Sequence, residues 1–183
     1  MKQLIFITIV FAISILEFSC KTSEEHEDSV DMAQEKNEAA SINVNISDFL
    51  TEAADARMMG IAEAKLAVAR GTTPEIRKYG KWMIQDQNIL LKEIHTLAKS
   101  KKVALPQEIS DEKEEGLSQL EKENNKDFDL KFMKMITIDH RRDVRKFRNA
   151  QTLKDKDVSA FAAKYLPVIE SHLERAKEIK TEI

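Results

Sequence analysis

Between Phe128 and Phe147 the chain reads FDLKFMKMITIDHRRDVRKF, and within it Met133, Ile136, His140, Val144 and Phe147 recur at steps of three and four. That spacing puts all five side chains on one face of an α-helix. A stripe so regular leaves little choice but a long amphipathic helix packed against neighbours. It also sets His140, with Asp139 beside it, where an apolar residue is expected.

Three more segments carry the same period. Leu50, Ala54, Met58, Ile61, Ala62, Leu66 and Ala69 line the first, which is expected to start at Ser47 as N-cap and to stop at Gly71 in a left-handed C′ conformation. Thr73 and Pro74 open the second, whose stripe is Ile76, Tyr79, Met83, Gln87, Leu90, Ile94 and Leu97. The link between the two is short, and short links make antiparallel neighbours. The last segment starts around Asp155 or Asp157 and turns Val158, Phe161, Ala162, Tyr165, Ile169, Leu173, Ala176 and Ile179 inward, with Pro167 predicting a kink. A short charged helix, SDEKEEGLSQLEKE, capped by Ser110, precedes the third long one, which runs from near Asp127 to near Gln151. Only 4 glycines and 3 prolines in 183 residues argue against a turn-rich β fold. The chain is therefore predicted to be all-α, an antiparallel four-helix bundle with a short extra helix before the third long helix, each long helix roughly 35 to 42 Å at about 1.5 Å per residue.

The bundle is assigned residues 47–183. Ahead of it, Lys2, the apolar run 4–16 and Phe18-Ser19-Cys20 read as a lipoprotein signal over residues 1–20, with Cys20 as the lipidated residue. The segment resembles a lipobox, departing from it in Glu17, where leucine is commoner. Cys20 is the only cysteine, so an internal disulfide is excluded and stability must come from the core. Residues 21–46 are polar and acidic and are expected to form a flexible tether. These features predict a bacterial cell-envelope protein held by its lipid, in the outer membrane and facing the periplasm or the cell surface. A net charge of −3 leaves no basic footprint for nucleic acid. The cluster Arg141, Arg142, Arg145 and Lys146 lies off the core stripe, where it can meet anionic headgroups.

Antiparallel helices of similar length bring their midpoints to one height, and here the midpoints are polar. Glu63 lies near the middle of the first helix, Asp86 and Gln87 of the second, Asp139 and His140 of the third, and His172 of the fourth, flanked by Glu170 and Glu174. Bundles build metal and cofactor sites at such levels. A buried polar layer can equally fix helix register. The di-iron pattern needs a glutamate three residues before each histidine, and Thr137 and Ile169 stand there instead. A single transition-metal ion held by His140, His172 and a carboxylate is the chemistry left open. Serine-nucleophile, phosphate-loop and CxxC motifs are missing from the sequence. A non-enzymatic binding or interaction module is expected, with metal or redox binding in the polar layer as the alternative.

The strings WMIQDQNILLKEIHTLA, Leu105-Pro106, FDLKFMKMITIDHRRDVRKF and LPVIESHLERAK resemble the bacterial ferritin-like domain of unknown function 4142, a family of exported and outer-membrane proteins. The resemblance covers about residues 47–180. It implies a ferritin-like bundle and an envelope location, and it brings no activity. Asp139-His140 and Leu166-Pro167 with His172-Leu173 match the family's motifs, and Glu63 resembles its first-helix glutamate. Gln87 stands where the family carries histidine, which implies a weakened or lost metal ligand.

Overall fold

In the computed structural model the described residues are 26–183. The signal segment, Cys20 and the first residues of the expected tether lie outside them. The described residues form α1 (Ser29–Ala39), α2 (Val44–Arg70), α3 (Pro74–Lys101), α4 (Asp111–Glu121), α5 (Asn125–Ala150) and α6 (Lys156–Glu182). Among the described residues there is no strand, and no helix is long and apolar enough to cross a membrane. The long helices α2, α3, α5 and α6 make the predicted bundle, with α2 packed on α3, α5 on α6, and the two pairs joined through α2–α5 and α3–α6 contacts. The extra helix α4 sits where the sequence puts it and leans on α2 and α5.

Stripe positions on α5 and α6 are buried as expected, from Met133 to Phe147 and from Val158 to Ile179. On α2 the buried face is rotated. Ala53, Arg57, Gly60, Ala64 and Ala67 point inward, Met58 and Leu66 are half-buried, and Ala69 is exposed. Close approach to α3 is the reason, since a Cβ on Gly80 would lie 2.8 Å from the Ala64 carbonyl oxygen. Small side chains hold that seam, and larger ones fall to its edges.

The ends of α2 also depart from expectation. Asn43, not Ser47, is the N-cap and accepts from the Asn45 amide at 3.1 Å, while Ser47 lies inside the helix and its hydroxyl donates to the Val44 carbonyl at 3.1 Å. Gly71 is not left-handed, its φ being −53°. What demands glycine there is space: a Cβ would stand 2.5 Å from Ile76 Cγ2 and 2.6 Å from the Ala67 carbonyl oxygen. Thr73 caps α3 through the Ile76 amide, and Asp155 caps α6 through the Asp157 and Val158 amides. The α6 helix runs on through Pro167.

The expectation of a tether over residues 21–46 is corrected for residues 29–39, which are helix α1 docked on α2. Its buried residues are Ser29, Ala33 and Asn37, one per turn. Asn37 is doubly bonded to Ala104, donating from Nδ2 to the carbonyl at 3.0 Å and accepting the amide on Oδ1 at 2.7 Å. Ser29 Oγ accepts from the Gln107 and Glu108 amides, and Asp28 caps α1 while also accepting from the Asp111 amide. Helix α1 is thus a clasp over the α3–α4 connection, held by hydrogen bonds to its backbone at Ala104, Gln107 and Glu108.

Candidate binding site

The apolar core is split in two. One cluster holds Phe49, Leu90, Ile94, Phe147, Phe161 and their neighbours, and the other holds Ile76, Met83, Phe128, Phe132, Met133 and theirs. On three of the long helices the break between the clusters falls at polar residues, Arg57 and Glu63 on α2, Gln87 on α3, and His140 and Asp143 on α5, and on α6 His172 lies just before it, beside Leu173. All of these polar residues are 5% exposed or less. Of the predicted layer, Glu63, Gln87, His140 and His172 are buried, Asp86 and Asp139 are half-buried at its edge, Glu170 pairs with Arg148 nearer the surface, and Glu174 is exposed.

The two histidines face each other across it. Their ring centroids are 5.6 Å apart with the planes inclined by 38°. His172 Nε2 lies 2.9 Å from Asp86 Oδ2, and since a carboxylate only accepts, Nε2 carries the proton. His140 Nδ1 lies 3.0 Å from the Ile136 carbonyl oxygen and is the donor for the same reason. Both rings are held neutral. Burial, the nearby Arg57 charge and His172 push the His140 pKa well below its ordinary value, and burial lowers that of His172 against the opposing pull of Asp86. Each ring therefore keeps one bare lone pair, on His140 Nε2 and on His172 Nδ1. Tyr79 donates its hydroxyl to the His172 carbonyl at 3.0 Å, and Trp82 packs edge-on against the His172 ring at 4.2 Å, which fixes it further.

Glu63 is buried from α2, and burial, with the Asp139 charge second, pushes its pKa well above the usual carboxylate range, favouring the protonated form. Asp139 is half-buried, and burial raises its pKa as well. Gln87 lies beside Gly60, where a Cβ would stand 3.6 Å from Gln87 Cδ, in ordinary van der Waals contact. Two residues of the layer were not foreseen. Arg57 and Asp143 form an ion pair across α2 and α5, and burial pulls Arg57 down to about 10. The signal for Arg57 was its place three residues after Ala54 and four before Ile61. Asp143 follows His140 by three, one step from the stripe.

Six buried side-chain atoms lack any hydrogen-bond partner among the described residues: Arg57 Nε and Nη1, Glu63 Oε1, Gln87 Oε1, His140 Nε2 and His172 Nδ1. Every one belongs to this layer. A cleft of about 50 Å³, lined in part by Arg57, Glu63, Asp139, His140 and Asp143, leads into it from the α2–α5 side. At about 10–15 Å³ per water it has room for a few waters or one small ligand.

The layer does not fit the dinuclear centre that a ferritin-like fold implies. Glu63 is its one fully buried glutamate, and among the described residues no group of three or more His, Cys, Asp or Glu side chains converges to hold a metal ion. His95 is exposed, and His26 pairs with Asp111 at the surface. Arg141 and Arg145 are exposed on α5, and Arg142 and Lys146 turn toward Asp139 and Glu52.

Residues 31–179 match the family model described as "Domain of unknown function (DUF4142)". Among solved structures, the crystal structure of a DUF305 fragment from Deinococcus radiodurans is similar at a TM-score of 0.69 and 10% identity, over 78% of this chain and 99% of that one. At that identity the likeness concerns the fold alone. No curated protein matches the sequence.

Proposed function

The chain belongs to the DUF4142 family, whose domain has no assigned function, and from that premise we propose that it is a non-enzymatic binding module of the bacterial cell envelope, anchored by lipid on Cys20, that takes a small ligand into the polar layer at mid-bundle. One observation carries the binding half of the reading: six buried polar atoms without partners in a single layer. An unpaired buried group costs about 1–3 kcal/mol, so these atoms call for partners that the chain does not supply, buried water or a small ligand. This layer is completed from outside the protein. The anchoring half rests on Lys2, the apolar run 4–16 and Cys20 in the sequence, and on the family's exported relatives as the resemblance implies them.

Native mass spectrometry of the full chain, purified from membranes without chelator, tests the binding half. A non-covalent mass beyond the lipidated polypeptide, lost in His140→Gln, is the expected result. Bare polypeptide in both proteins refutes it. For the anchor, Cys20→Ala is expected to move the protein from the membrane to the soluble fraction, and continued membrane retention refutes it.

A further inference from the structure

We infer that the species taken up in this layer is a single divalent transition-metal ion, bridged between His140 Nε2 and His172 Nδ1, an inference that rests on the binding reading above. The argument starts from how each ring is held. A metal-ligating histidine characteristically donates its outer N–H to a carboxylate or a backbone carbonyl, which fixes the tautomer and leaves the inner nitrogen for the metal. Both histidines follow that rule, His172 through Asp86 and His140 through the Ile136 carbonyl. In both it is the opposite nitrogen that is buried without a partner.

The spacing agrees. A ring nitrogen about 2 Å from an ion puts the ring centroid roughly 3 Å from it, so two centroids 5.6 Å apart can share one ion. Gln87 Oε1 is a further unpartnered acceptor of the layer, and since no third His, Cys, Asp or Glu side chain converges on the pair among the described residues, water completes the coordination. Imidazole nitrogens with amide and water oxygens are a borderline donor set suited to zinc, cobalt or nickel rather than to calcium or magnesium. Arg57, paired through Nη2 with Asp143, still places positive charge near both rings and so weakens the site without closing it. With two imidazoles and weaker oxygens the site is an exchangeable one, unlike the closed four-ligand cages of structural zinc.

Cobalt(II) is the probe. Titrated into the chelator-stripped full chain in detergent, it is expected to saturate at one ion per chain with visible absorption bands of nitrogen–oxygen coordination. His140→Gln and His172→Gln, near-isosteric and each checked for a native helical spectrum, are expected to weaken binding at least tenfold. Asp86→Asn weakens it through His172, and His95→Gln, outside the layer, leaves it unchanged. Gln87→His supplies a third imidazole and tightens binding at least tenfold, a gain that loss of folding cannot imitate. Saturation that ignores His140 and His172, or no binding at micromolar cobalt, overturns the inference. If native mass spectrometry then still finds a non-metal adduct, the binding reading stands without the metal, and if it finds none, both fall.

Discussion

Arg57 on α2 and Asp143 on α5 form a salt bridge whose side chains are 1% and 7% exposed, directly beside the His140 ring. Removing one partner strands a charge in the core. Asp143→Ala is expected to cost about 3–5 kcal/mol in urea unfolding, whereas replacing both by apolar residues of similar volume, Arg57→Met with Asp143→Leu, costs much less. A double-mutant cycle measures the difference. Additive losses would mean that the pair is not coupled.

Glu63 gives a pH dependence whose sign can be worked out. Its folded pKa lies above the unfolded one, so the native state holds a proton that the unfolded chain releases as pH rises past the ordinary carboxylate value near 4.5. Stability from this group is complete below that value and declines as pH climbs toward the folded pKa. Glu63→Gln removes the dependence. The variant is expected to match the parent at pH 4 and to grow relatively more stable above it, by at most about 1.4 kcal/mol per pH unit. A constant difference across that range contradicts the assignment.

Two glycines should respond to alanine in opposite directions. At Gly80 the new Cβ meets the Ala64 carbonyl at 2.8 Å and Val68 at 3.1 Å, in the tight α2–α3 seam. Gly80→Ala is expected to destabilise by about 1–3 kcal/mol. At Gly116 in α4 nothing comes nearer than Met135 Cε at 3.7 Å. There Gly116→Ala is expected to stabilise by about 0.5–1 kcal/mol through lost chain entropy. Melting temperatures of the two variants check both signs.

The α1 clasp predicts a local effect. Asn37→Ala deletes both bonds to Ala104 and leaves its amide and carbonyl without these partners. At about 1–3 kcal/mol for the unsatisfied pair, hydrogen exchange at the Ala104 amide should quicken roughly ten- to a hundredfold. Exchange in α5 should not move.

Hydrophobic period revealed the bundle and most of its inner face, because on α3, α5 and α6 large apolar residues mark the inward direction. It put His140 and Gln87 in the core for the same reason, but not His172, which lies beside the stripe residue Leu173 and is buried all the same. It was less informative where burial depends on small or polar side chains. In α1 the inward residues are Ser29, Ala33 and Asn37, a pattern that looks like solvated chain until the partner backbone at 104–108 is in view. On α2 the choice of Met58 over Arg57 followed the assumption that a charge faces water, and only Asp143 on another helix reverses it. Pairings between residues distant in sequence leave no periodic trace.

The clasp has a mechanical side. Strain entering from the N-terminal direction reaches α1 before any helix of the bundle, and α1 is joined to the α3–α4 connection by a short row of hydrogen bonds that can open one at a time, like a zip pulled from its end. Helix α1 is also packed on α2, so tension on the leading end meets these bonds and that packing before it meets the four long helices.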